Sequence, residues 1–147
     1  MQNDSKKIEN QLDMMFSKLR LKDEQKASVA KRGFYFYLEQ QNHDKSLEML
    51  KMCESDNEYH NMKLMYDILA EKKSNHIHEI QERLKQLKES DSEPHQEKKI
   101  RMGIFEYLIG LQYSYLNNKK MSQKYLNSAL KNCENTPYQP QIEALLK

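Results

Sequence analysis

Two histidines with one residue between them, His76 and His78 in NHIHEI, are the first place in this chain to look for metal chemistry. On a helix, residues i and i+2 point about 200° apart, so this pair cannot share one ion. His78 and Glu82 stand at i and i+4 and can face the same way, but two ligands do not close a zinc-type site. His43, His60 and His95 are scattered. Cys53 and Cys133 are far apart, each late in a helical segment beside apolar neighbours. That is the pattern of two reduced, partly buried thiols. With three glycines in the whole chain, a Gly-rich phosphate cradle has no material to be built from. There is no nucleophile elbow and no zinc-type cysteine pairing. Carboxylates are abundant but alternate with lysines, as on solvated helix faces. The residues therefore point to no catalytic site, no metal and no cofactor, and the expectation is a protein that is not an enzyme.

The charges narrow the partners. The 24 basic and 22 acidic side chains leave a net charge of +2, and they are interspersed. The longest basic clusters are as short as Lys98-Lys99-Ile100-Arg101, which is no stripe for a nucleic-acid backbone. The opening MQNDSKKIEN is polar and has no signal-peptide pattern. No apolar run approaches the roughly 18 residues of a membrane span. The expectation is a soluble cytoplasmic protein with no membrane partner and no nucleic acid.

What would position such residues is helical. Three glycines, three prolines and a single valine, Val29, argue for an all-α chain without a sheet. Ile8, Leu12, Met15, Phe16 and Leu19 recur at helical spacing and predict a helix over 4–20. Ala27, Ala30, Phe34, Tyr37 and Leu38 mark a second, and Leu47, Met49, Leu50 and Cys53 a third, separated by Gln41-Asn42-His43-Asp44. Tyr59, Met62, Met65, Tyr66 and Leu69 give a fourth; Ile77, Ile80, Leu84 and Leu87 a fifth. The polar stretch 88–99 is the one clear break, with Pro94 expected in the first turn of a sixth helix. A seventh runs from about Lys119 to Cys133, and a short eighth ends near Leu146. Helices of roughly 14 to 22 residues on short loops pair as antiparallel hairpins. The organisation predicted is one helical-repeat domain over 1–147. A capping helix at 4–20 and another at 138–147 flank hairpins at 23–55, 57–90 and 94–133.

One residue breaks the helical logic. Gly110 lies inside YLIGLQYSYL, where it costs about 1 kcal/mol relative to Ala. It is tolerated where something comes very close to the backbone. Gly110 and Ser122 are small so that two antiparallel helices can approach, with Tyr113 and Leu126 filling the space beside them and Ala129 admitting a neighbour.

In these residues the chain resembles the tetratricopeptide repeat. Ile109-Gly110 stands at the Leu-Gly pair, Tyr113 at the Tyr three residues on, Ser122 at the small residue of the second helix, Leu126 at the aromatic and Ala129 at the later Ala. The Trp-like position departs from the pattern, falling on Glu106 with Tyr107 adjacent. A more degenerate copy aligns on Ser46, with Tyr37 at the Tyr position, Leu50 at the aromatic and Cys53 at the Ala, while Gly33 falls one residue early. Ser46 and Ser122 are 76 residues apart, room for about two repeat lengths. The resemblance implies a right-handed stack of antiparallel hairpins with seven to eight helices. It also implies a concave groove lined by Lys31, Tyr35, Tyr107, Leu111, Ser114 and Tyr115. The implied function is a non-catalytic adaptor that binds a protein or peptide. A weaker likeness, carried by GFYFYL and KSLEML, is to the repeats of intracellular peptide-sensing regulators of Gram-positive bacteria. It implies a regulatory switch that binds a signal peptide or partner regulator. A structural homo-oligomer, with the groove buried in a second copy, is the remaining alternative.

Overall fold

A computed structural model describes residues 2–18, 23–91 and 94–147. Leu19 and residue 20 of the expected first helix, and 92–93 of the polar loop, lie outside the described residues. Among the described residues there are eight α-helices and no strand: α1 (Gln2–Lys18), α2 (Asp23–Glu39), α3 (His43–Lys51), α4 (Tyr59–Leu69), α5 (Ile77–Glu89), α6 (His95–Tyr115), α7 (Lys119–Asn132) and α8 (Tyr138–Leu146). None of them is long and apolar enough to cross a membrane. Two helices are shorter than the spacing predicts: α3 has nine residues and α4 eleven. At the end of α3 the bonds tighten, with Met52 N donating to Met49 O and Cys53 N to Leu50 O, as terminal turns often do. Pro94 is not inside the first turn of α6. It is the residue before it, with ψ 142, and its carbonyl accepts from Lys98 N at 3.0 Å.

The chain packs as two units, Met1–Lys63 and Leu64–Lys147, and the division falls inside α4. In the first unit α2 and α3 form an antiparallel pair. Phe34, Leu38, Leu50, Cys53 and Met62 are buried there, and so is Leu12 of α1. In the second unit α6 is central: α5 and α7 both pack along it, and α8 packs on α7. The closest neighbour of α5 is thus α6. One core runs through Ile68, Ile80, Leu84, Leu108, Ile109, Leu126, Ala129 and Ile142.

The pairs α2–α3 and α6–α7 are built on the same plan. Gln41 and Asn117 take left-handed backbones, with φ 61 and 60. Asn42 N donates to Tyr37 O at 2.8 Å, and Asn118 N to Tyr113 O at 2.9 Å. Gln41 N donates to Leu38 O, and Asn117 N to Ser114 O, both at 3.1 Å. This is a Schellman closure. Each Asn then caps the next helix, Asn42 Oδ1 accepting from Lys45 N and Asn118 Oδ1 from Met121 N. Every one of these equivalences spans 76 residues. The turn after the second helix repeats too. Asp56 N donates to Cys53 O and Thr136 N to Cys133 O; Tyr59 N then donates to Asp56 O and Gln139 N to Thr136 O. Here the offset is 80. The second copy therefore carries four extra residues in α7, about one helical turn.

Candidate functional site

Gly110 shows why the α6–α7 pair needs a residue without a side chain. A Cβ there would lie 2.8 Å from Leu126 Cγ, 2.9 Å from its Cδ2 and 3.3 Å from its backbone N. Ser122 Oγ donates to Gly110 O at 2.9 Å, so the small residue on α7 both fits the contact and pins it. Tyr113 stacks on Tyr125, ring centroids 5.9 Å apart. Leu126 and Ala129 are buried. Gly103, absent from the sequence reading, is a tighter contact still. A Cβ on it would lie 2.5 Å from Cys133 Sγ and 2.8 Å from Asn132 Cβ. Its spacing of seven residues from Gly110, on the same helix face, was the available signal.

In the first unit the same plan is looser. A Cβ on Gly33 would be 3.0 Å from Met49 Sδ, a flexible neighbour. Ser46 is buried and donates to His43 O at 2.9 Å. Tyr37 is buried with the Lys45 ammonium 5.3 Å from its ring centre. Cys53 Sγ lies 3.6 Å from Ala27 O, as Cys133 lies against Gly103: in both copies a buried thiol meets a small residue of the preceding helix. Burial, then Glu106, pushes the Cys133 thiol up to about 11. Burial, then Asp56, raises Cys53.

Glu106, at the Trp-like position, is a buried carboxylate that is fully used. It accepts from Ser128 Oγ and Asn132 Nδ2, tying α6 to α7.

The six residues expected along a groove are placed differently from one another. Lys31 and Tyr35 belong to the first unit. Lys31 Nζ is 3.4 Å from Asp56 Oδ1 and 3.4 Å from Glu58 Oε1, and Tyr35 OH donates to Glu58 Oε2 at 3.4 Å. The Glu58 N–H that it accepts, together with Lys31, holds the Asp56 carboxyl below its ordinary value. The other four belong to the second unit. Tyr107 and Leu111 do not line an open surface there; they are 4% and 6% exposed. Tyr107 OH donates to Gln141 Oε1 at 2.9 Å, and its ring packs on Tyr138. The reason is that α6 is central, covered on several sides, so helix position alone does not expose these residues. Ser114 and Tyr115 are half-buried, and Tyr115 OH donates to Ile68 O at 2.9 Å.

The histidines do not converge. His76 stands just before α5 without a side-chain bond to its first turn; its backbone N–H donates to Gln112 Oε1 at 2.8 Å, and its Nε2 lies 3.8 Å from Asp67 Oδ2. His78 is exposed. No group of three or more metal-ligating side chains forms among the described residues.

The second unit does hold a cleft of about 460 Å³, where the α6–α7 turn meets the end of α8. Leu126, Leu145 and Leu146 give it an apolar lining; Ser114, Asn117, Lys119, Gln123 and Lys147 give it a polar one. Of the expected groove residues only Ser114 is here. Leu145 and Lys147 were beyond sequence reasoning, because α8 reaches the α6–α7 turn only through the fold. No family model, no curated protein and no solved structure matches this chain.

Proposed function

We propose that this chain is a non-catalytic helical-repeat adaptor that binds a protein or a peptide. Its hairpins would stack in the right-handed, tetratricopeptide-like way. The observation that carries the reading is the duplicated hairpin: two turns 76 residues apart, each with a left-handed residue, the same pair of closing hydrogen bonds and an Asn cap on the next helix. Duplicated hairpins with small residues at the helix contact are how repeat proteins extend a surface, since each unit buries its face on a neighbour. Such a surface needs no reacting group. Its affinity comes from anchored side chains in a preformed cleft.

Calorimetry against a panel of short peptides of varied charge and hydropathy tests this. Saturable binding by a subset, with a negative heat-capacity change from apolar burial, is the expected result. Absence of binding by every peptide, with light scattering giving a self-associated species, would favour the homo-oligomer in its place. A change of hydrodynamic radius on peptide binding would single out the regulatory switch.

A further inference from the structure

We propose that the cleft between the α6–α7 turn and the end of α8 takes a short acidic peptide segment, with a leucine-sized apolar side chain seated on Leu126, Leu145 and Leu146 and carboxylates meeting Lys119 and Lys147. This rests on the peptide-binding reading above and assigns it a site and a ligand chemistry.

Two observations carry it. The first is the shape and lining of the cleft. About 460 Å³ is within the size range of ligand pockets, and three leucines form its apolar side. Leu145 is 43% exposed, and Leu116 beside the turn 53%, so apolar surface remains open to a partner. The second is charge. No acidic residue lines the cleft, and none occurs in the chain from Tyr107 through Cys133. That stretch carries Lys119, Lys120, Lys124 and Lys131. None of Lys119, Lys120, Lys124 or Lys147 pairs with a carboxylate among the described residues. The carboxylate of α8 nearest the cleft in sequence, Glu143, accepts from Gln139 instead. The charged side chains of the lining are both lysines, set around an apolar floor, whereas elsewhere in the chain lysines and acids alternate. Complementarity selects a partner with acidic residues flanking an apolar one, and a basic segment would be repelled.

The test is fluorescence anisotropy with three labelled peptides: one alternating Glu and Leu, one with Lys replacing Glu, and one with Ser replacing Leu. The expected result is that only the first binds, and that added salt weakens it. K119E and L145S should each weaken binding by about tenfold or more, while K85E, outside the cleft, leaves it unchanged. All three positions are exposed, and circular dichroism checks that each variant folds. Equal binding of the acidic and basic peptides, or wild-type affinity in both K119E and L145S, overturns the proposal. If peptides of other chemistry bind and neither variant affects them, the cleft assignment falls and the adaptor reading stands. If no peptide of any chemistry binds, the cleft assignment falls, and where light scattering also gives a self-associated species the adaptor reading falls with it.

Discussion

At Gly110 two effects of one methyl group oppose each other. Ala would gain about 1 kcal/mol of helix propensity over Gly. Its Cβ would also sit 2.8 Å from the Cγ of Leu126, a side chain only 2% exposed and with little room to move. Overpacking of a fixed core typically costs about 1–3 kcal/mol, so the clash wins and Gly110→Ala is expected to destabilise. The cause can be isolated. In a Leu126→Ala background the two clashing carbons are gone, while the backbone N at 3.3 Å stays. There the same substitution should be neutral or stabilising, a coupling of about 1–3 kcal/mol in a double-mutant cycle by urea denaturation. Additive effects would mean that Leu126 is not what demands the glycine. Lys72 is the opposite case. It is exposed, its φ is 55, and a side chain there is strained with nothing gained. Lys72→Gly should raise stability by about 0.5–1 kcal/mol, read as a higher denaturation midpoint at unchanged slope.

On the scale of helices, the α6–α7 pair carries a pH dependence of its own. The Cys133 thiol rises from an ordinary value near 9 to about 11 because burial, then Glu106, disfavours the thiolate. Between those values the unfolded chain has given up a proton that the folded chain still holds. Each step up in pH therefore favours unfolding. The stabilisation is complete below about pH 9 and gone above about 11. Burial raises Tyr107 as well, which extends the decline upward. Cys133→Ala should therefore flatten the fall in denaturation midpoint between about pH 9 and 11 without abolishing the later part; parallel curves would exclude the thiol. Much of this element scale was legible in the chain. A glycine within a helical run reported a close approach, and Ser122 and Leu126 at helical spacing reported its partner. What misled was α6. Placing Tyr107 and Leu111 on a groove assumed a helix with one wet face. But IFEYLIGLQ is apolar nearly all round, which is the signature of a helix covered on several sides. The buried set from Glu106 to Gln112 follows from that. The cleft was illegible for a different reason: its walls come from α6, α7 and α8, and no periodicity within one helix encodes where a third helix ends.

The whole chain should not open as one body. It packs as two units that share α4, and the extensive core through α5, α6, α7 and α8 belongs to the second. Local opening free energy follows buried apolar contact, so protection should be graded. In α1, Leu12 is buried, while Ile8 and Met14 are 41% and 49% exposed; its amides should exchange first. Amides of α6 and α7 between Gly103 and Ala129 should exchange last. Phe34 is fully buried in the first unit, and Phe34→Ala should cost about 3–5 kcal/mol there. If the units are separate cooperative bodies, hydrogen exchange in that variant accelerates across α2 and α3 while the slowest amides of α6 and α7 keep their rates. A uniform acceleration from α2 to α8 would instead mean that α4 transmits the whole loss and that the chain folds as one. The first outcome also bears on recognition. A cleft walled entirely by α6, α7 and α8 would keep its shape while α1 to α3 open, so its affinity for an acidic peptide should survive Phe34→Ala at temperatures where the first unit is already exchanging freely.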